Sequence, residues 1–364
     1  MIGGGRLTEP GESFEIKDVI RTVVEGRELT RKQATAAMDA IMTGSVSGAQ
    51  IGALVTGLRM KGETVSEIAG FAGAMRAHAL TVEVDSHERP LLDTCGTGGD
   101  NSNSFNISTT ATFAIAAAGV RIAKHGNRAA SSLCGSADLL EGLGVEVELS
   151  PEEVAQSVEN VGIGFMFAPA FHPAMRFVGP SRREMGIRTI FNVLGPLTNP
   201  AGANHQLIGV GHPDIAWKLA EVLKLLGSTR AVLVHSEEGL DEIGIMGQSA
   251  ITEWDARRGT IREYAIAPDD FGLDRGTMAN VKGGDVATNV GITRSILSGE
   301  PGPRRTITLM NAGAGIYAAE RTNSIGEGIA LAADAIDSGA ALERLERLVE
   351  TTRRLVAARE RVTA

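Results

Sequence analysis

Three clusters of glycine, hydroxyl and cationic residues follow one another between Asp93 and Asp138. They are Cys95-Gly96-Thr97-Gly98-Gly99-Asp100, Asn106-Ile107-Ser108-Thr109, and Lys124-His125-Gly126-Asn127-Arg128-Ala129-Ala130-Ser131-Ser132. Each offers backbone N–H groups, hydroxyls or cations, the equipment for holding a polyanion such as a phosphorylated sugar. Glycine tolerates positive φ and close approach of the backbone, so Gly96, Gly98 and Gly99 can curl successive N–H groups into an anion-binding concavity. Taken singly, Gly-Thr-Gly-Gly is more often a turn, Asn-x-Ser-Thr an N-cap and Lys-His-Gly-Asn-Arg a solvated loop. Three in tandem favour the joint functional reading.

The elements that must position them are legible nearby. Pro90-Leu91-Leu92-Asp93 is strand-like, and Thr109 to Ala118 is an apolar helical run, which puts Asn106–Thr109 at a helix N-terminus where unpaired N–H groups favour phosphate. The pattern repeats: Val120–Ala123 is a short strand opening into the Lys124 cluster, and a helix begins near Ser136. Two strand–loop–helix units with phosphate chemistry at their C-terminal ends are what a parallel α/β sheet places at its ligand edge. No Gly-x-x-x-x-Gly-Lys-[Ser/Thr] occurs, so a P-loop has no support, and Gly209-Val210-Gly211 has Asp214 where a dinucleotide fingerprint needs its third glycine, so a dinucleotide fold is only weakly supported.

A further candidate follows the apolar strand Ala231–His235, where Asp241-Glu242 stand in a crowd with Glu237 and Glu238. Spacing alone favours a solvated acidic loop. An adjacent Asp-Glu pair opposite a hydroxyl such as Ser108 is also a credible magnesium site, since that ion usually takes one or two carboxylates plus substrate phosphates.

The stretch from Asp93 to Glu141, followed by Phe167-Ala168-Pro169, His172-Pro173-Ala174-Met175, Arg188–Pro200 and Gly239-Leu240-Asp241-Glu242, closely resembles the anthranilate phosphoribosyltransferases, from about Glu15 to the last helix and in the family's order. The resemblance implies transfer of phosphoribose from phosphoribosyl pyrophosphate (PRPP) to the amine of anthranilate, releasing pyrophosphate, in L-tryptophan biosynthesis. It also implies that Gly96, Gly99, Asp100, Ser104, Asn106, Ile107, Ser108 and Thr109 line the PRPP site. Lys124, His125, Gly126, Asn127, Arg128, Ala129, Ala130, Ser131, Ser132 and Ser136 match the second phosphate-binding segment. Ser108, Asp241 and Glu242 match magnesium ligands, with two ions per subunit expected. Arg182 matches the arginine that takes the carboxylate of anthranilate, and Gly96, Asn127, His125, His172 and Pro196 match the acceptor pocket.

No strict acid or base is required, because an aromatic amine carries a free lone pair while departing pyrophosphate gains charge that must be met. Lys124, Asp241 and Glu242 are the expected transition-state stabilisers. One departure from the family is Gly244-Ile245-Met246-Gly247-Gln248-Ser249, more apolar than the usual Ser/Thr/Pro-rich segment, which bears on ion affinity and substrate access. A pyrimidine nucleoside phosphorylase and a non-catalytic PRPP or nucleotide sensor remain as alternatives.

Composition bounds the rest. A chain of 364 residues with 43% hydrophobic content can bury a large core, and its net charge of −9 argues against a nucleic-acid partner. Cys95 and Cys134 alone make neither a disulfide framework nor a thiolate metal cluster. No apolar run spans a bilayer and the N-terminus lacks a leader pattern, so a cytoplasmic location is expected.

The fold expected is α/β. A disordered lead-in covers 1–12, a discontinuous, mostly helical domain covers 13–82 with a returning segment near 176–200, and a phosphoribosyl-binding domain with a mainly parallel sheet flanked by helices covers 90–364. Helical spacing marks Phe14–Val24, Arg31–Met42, Ala49–Met60 and Val65–His78, with Thr30 and Ser47 as caps and a capping box at Thr64–Glu67. Val145-Glu146-Val147, Phe165–Phe167, Leu207–Val210 and Arg230–Val234 are expected strands. Catalysis is expected in the cleft between subdomains, and the family resemblance implies a homodimer joined through the helical domain. Apolar Ile51, Leu54 and Leu58 suit either that interface or an ordinary core.

Overall fold

The computed structural model describes residues 14–86, 89–100, 102–129 and 132–363. The expected lead-in 1–12 and the site candidates Ala130 and Ser131 lie outside the described residues. Two compact units emerge, one made of the N-terminal segment to His78 together with Ala174–Ile190, the other of Ala79–Pro173 and Phe191 onward. The segment 191–200 thus belongs to the larger unit.

The smaller unit is built on helices Ile16–Val24, Arg31–Met42, Gly48–Lys61 and Val65–Ala77. Each of the last three starts with a reciprocal capping box, in which Thr30, Ser47 and Thr64 accept the N–H of Gln33, Gln50 and Glu67 at 3.2, 3.3 and 3.3 Å. Ile51, Leu54 and Leu58 are buried within this unit, which decides between core and surface in favour of core. The returning segment supplies a short helix, Gly179–Met185, whose Ser181 hydroxyl donates to Gly48 O at 3.5 Å.

In the larger unit seven strands are described: β1 Leu91–Gly96, β2 Arg121–Gly126, β3 Ile163–Phe167, β4 His205–Gly209, β5 Arg230–Ser236, β6 Ser249–Asp255 and β7 Thr260–Ile266. Their order is β3-β2-β1-β4-β5-β6-β7. The first five are parallel, and β6 and β7 add an antiparallel hairpin. This is the mainly parallel, helix-flanked sheet the sequence led us to expect. Helix Pro303–Ala318 is buried from Thr306 to its end, as suits the centre of a helical layer.

Val145-Glu146-Val147 is not a strand. Val145 and Val147 are buried, but the backbone is satisfied elsewhere: Val145 N–H donates to Leu140 O and Glu146 N–H to the Thr352 hydroxyl at 3.1 Å. The segment that joins the two expected domains is docked at its start, with Val82 buried and its N–H bonded to Pro200 O at 3.1 Å.

Candidate active site

The C-terminal ends of β1 and β4 lie side by side, Gly96 against Gly209, and both must be glycine because the Asp241 loop passes over them. A Cβ on Gly209 would stand 1.7 Å from Asp241 O, and one on Gly96 2.6 Å from Asp241 Oδ2. Gly98, at φ +64°, is in the region that glycine alone enters without strain, and its N–H donates to Asp241 Oδ2 at 2.9 Å. The Thr97 N–H donates to Gly209 O at 2.8 Å and the Thr97 hydroxyl accepts the Gly211 N–H at 3.0 Å, so the glycine loop is fastened at both ends.

Next door, helix Ile107–Ala117 points its N-terminus at the same place. Asn106 occupies the N-cap position but makes no side-chain cap; its amide donates to Cys134 O at 3.0 Å and its Oδ1 accepts from Asn289 at 2.9 Å. The cap comes from across the sheet, where Glu242 Oε1 accepts the Ser108 N–H at 3.1 Å. An anionic group at a helix N-terminus meets both free donors and the positive end of the dipole. Lys124, buried at the end of β2, reaches Thr94 O, the Thr94 hydroxyl at 3.3 Å and the Ser108 hydroxyl at 3.5 Å. Ser108, Lys124, Asp241, Glu242 and Gly98 therefore converge on one spot from separate stretches of chain.

The electrostatics of this spot call for a cation. Burial first, then the charge of Asp100, raises Asp241 to about 7, and burial with the neighbouring Asp241 raises Glu242 to about 8. Asp100 Oδ2 is buried without a hydrogen-bond partner. Hard oxygen donors with mutual repulsion and an orphaned carboxylate oxygen fit magnesium. Among the described residues no group of three or more His, Cys, Asp or Glu side chains is arranged to hold an ion. Burial lowers the Lys124 pKa, opposed chiefly by Asp93.

The four crowded acids sort into two pairs. Glu238 holds the N–H groups of Met246 and Gly247 at 2.5 and 2.9 Å, and Glu237 that of Gln248 at 3.1 Å. Thus Glu237 and Glu238 fold the apolar 244–249 turn, with Ile245 in the core, and leave Asp241 and Glu242 to the glycine loop and helix.

Around the second segment, Ser136 Oγ and the Ala137 N–H both donate to Asn127 O at 3.2 Å, and Asn127 itself is exposed. A Cβ on Gly126 would meet Ser136 Oγ at 2.3 Å. Arg128 is exposed but its charge is paired, its guanidinium meeting Asp138 at 3.2 Å and Glu141 at 2.7 Å. Asp138 also accepts the N–H groups of Ala129 and Gly135, both at 2.9 Å, so this carboxylate organises a segment in which the sequence pattern singles out only the donors. Ser104 bridges to Lys282 and takes the Ser102 hydroxyl at 3.2 Å, while Ile107 and Thr109 are buried. Gly99 is at φ +84° and Ser132 is exposed.

The rings of His125 and His172 meet at a tilt of 56° with centroids 4.9 Å apart. Burial, then the other ring for His125, depresses them to about 3 and about 4, so both are neutral near pH 7. Each has a buried Nε2 without a hydrogen-bond partner. Pro196 O, nearby in sequence to Gly195, which bonds His125, accepts the Gln206 amide at 3.2 Å. Arg182 lies in the helical unit, half-buried on Gly179–Met185, with its pKa lowered by burial. Cys95 is half-buried, and burial with Asp93 holds its thiol well above the usual range, which suits no nucleophilic role.

A cavity of about 550 Å³ lies at the other end of the sheet, by Arg121 at the start of β2, and none of the candidates lines it. Two of its arginines are spent on helix C-termini, Arg321 on Ala118 O at 3.2 Å and Arg344 on Val161 O at 2.7 Å, and the other two, Arg89 and Arg121, pair with Glu159 at 2.7 and 2.6 Å.

Residues 88–342 match the model of the glycosyl transferase family, a/b domain, and residues 17–79 that of the same family's helical bundle domain. Fold and site thus define a glycosyl transferase of the class that joins a helical bundle to an α/β domain. Anthranilate phosphoribosyltransferases from Symbiobacterium thermophilum and Roseiflexus castenholzii are 52% and 54% identical over 93% and 92% of this chain, and 98% and 97% of theirs. The crystal structure of the anthranilate phosphoribosyltransferase from Thermus thermophilus superimposes with a TM-score of 0.87 at 45% identity, covering 92% of this chain and 99% of that one. That of Saccharomyces cerevisiae, in complex with PRPP and Mg, gives 0.83 at 27% identity, covering 93% and 98%. The chain belongs to the anthranilate phosphoribosyltransferase family.

Proposed function

We propose that this enzyme transfers the phosphoribosyl group of PRPP to the amine of anthranilate, giving N-(5-phosphoribosyl)anthranilate and pyrophosphate in L-tryptophan biosynthesis. The observation that carries this reading is the convergence of Gly98, Ser108, Lys124, Asp241 and Glu242 on one spot. In it, the glycine-loop amides and the helix N-terminus at Ser108 receive phosphate oxygens, and Lys124 adds a point charge. Ser108, Asp241 and Glu242 hold two magnesium ions, which when bound offset the charge gathering on departing pyrophosphate. The remaining residues of the Lys124–Ser132 segment, with Ser136, wrap the rest of PRPP.

Arg182 offers a two-pronged donor to the acceptor carboxylate. The neutral His125–His172 pair, with Asn127 and Pro196, lines the space for the aromatic ring and keeps positive charge away from the attacking amine. Uncharged imidazoles suit this task because an imidazolium there would withdraw the electron density on which attack depends. The enzyme works as a cytoplasmic homodimer joined through its helical unit, on whose surface Met60 and Val24 are 83% and 67% exposed. Among the described residues no helix is long and apolar enough to cross a membrane.

The test is loss of anthranilate fluorescence with equimolar release of pyrophosphate, dependent on both PRPP and magnesium. No consumption of anthranilate at saturating PRPP and magnesium, or phosphate-dependent cleavage of a nucleoside instead, contradicts it.

A further inference from the structure

The ladder between β1 and β2 stops early. Leu91 pairs with Arg121 and Leu92 with Ile122, whereas the pairing of β1 with β4 on its other side continues from Leu92 to Gly96. The gap opens where Lys124 stands, and two side chains bridge it. Asp93, fully buried, accepts the His125 N–H on Oδ1 at 3.1 Å and the Asn199 amide on Oδ2 at 2.8 Å. The same Asn199 nitrogen donates to Ala123 O at 2.8 Å, and Asn199 Oδ1 accepts the N–H groups of Ala201 and Ala203 at 3.0 and 3.4 Å. The peptide groups immediately before and after Lys124 are thus gripped by one side-chain pair.

A lysine stem has four rotatable bonds, so an ammonium held against Thr94 and Ser108 needs a fixed root. Neither Asp93 nor Asn199 has a role in the chemistry described above, and both are buried, at 0% and 3% exposure. We propose that Asp93 and Asn199 are positioning residues that fix the root of Lys124 and thereby the ammonium presented to the phosphates of PRPP. This rests on the functional reading only in taking PRPP as the ligand of Lys124.

The test is a double-mutant cycle read in binding. Dissociation constants for PRPP with magnesium are measured by calorimetry for the native protein, Asn199→Ala, Lys124→Ala and the double variant. Loss of a buried bond to a charged group predicts about 10- to 100-fold weaker binding for Asn199→Ala. If Asn199 acts through Lys124, the double variant binds within about threefold of Lys124→Ala. Losses that multiply, or an Asn199→Ala protein that binds as tightly as the native one, overturn the proposal.

Should Asn199→Ala fail to fold, Asp93→Asn replaces it under the same criterion, since it keeps the volume and the acceptor for His125 N–H. Native turnover of anthranilate, followed in parallel, separates the two failures. An active native enzyme with multiplying losses removes the positioning role alone. A native enzyme that binds PRPP without consuming anthranilate removes the functional reading, and the cycle still decides the positioning.

Discussion

At the scale of single residues, the raised pKa values of Asp241 and Glu242 couple metal binding to pH. Free carboxylates titrate near pH 4, whereas these reach about 7 and about 8 in the folded chain. A raised folded-state pKa means stability that is full below about pH 4 and lost as pH rises through the folded values. Without magnesium, melting temperature is therefore expected to fall as pH rises from about 4 to about 8 and to level off above that. Added magnesium, which needs the ionised forms, should raise it more at pH 9 than at pH 6 and should release protons on binding. A magnesium-induced shift independent of pH contradicts this assignment, and thermal melts at matched ionic strength decide. For the acceptor, Arg182→Ala should raise the KM for anthranilate about 10- to 100-fold with a smaller effect on kcat, as loss of a bidentate carboxylate contact would. Initial rates at fixed PRPP measure it.

At the scale of elements, the glycines of β1 and β4 decide whether the acidic loop can close down. Gly209→Ala would put a methyl group against the Asp241 backbone, and the loop must then lift away from Gly98 and Ser108. The expected result is a fall in kcat of about 100-fold or more, the order of loss seen when a single stabilising donor is removed, with the melting temperature lowered. Kinetics paired with thermal melts measure both. The N-terminal helices are legible in sequence because their caps and one-sided apolar faces are local signals. Helix Pro303–Ala318 is buried on every side, so it carries no stripe and escapes such a reading. Val145 and Val147 alternate like a strand because both are buried, yet the N–H groups of Val145 and Glu146 are taken by Leu140 O and the Thr352 hydroxyl. Within the site, the donors stand out by type, whereas the residues that arrange them, Asp138, Asn199 and Asp93, are ordinary polar residues until the fold brings their partners to them. Glu242 as the cap of the Ser108 helix is likewise a long-range fact, 134 residues apart in sequence.

At the scale of the whole molecule, the chain gathers stretches as distant as Gly98, Lys124 and Asp241 at the C-terminal edge of a parallel sheet, where strand ends and helix N-termini meet. Assembly is expected to follow the helical unit: sedimentation should give about twice 38.1 kDa, and Met60→Asp should shift it toward the single-chain mass. A single-chain mass for the native protein at micromolar concentration contradicts the dimer. Loops far apart in sequence are expected to form one cradle for PRPP and its ions. A crystal structure with PRPP and magnesium bound tests it most directly. Pyrophosphate oxygens and metal should be found among the Gly98 loop, Ser108, Lys124 and the Asp241–Glu242 pair. Density for PRPP elsewhere, with these side chains untouched, would contradict it.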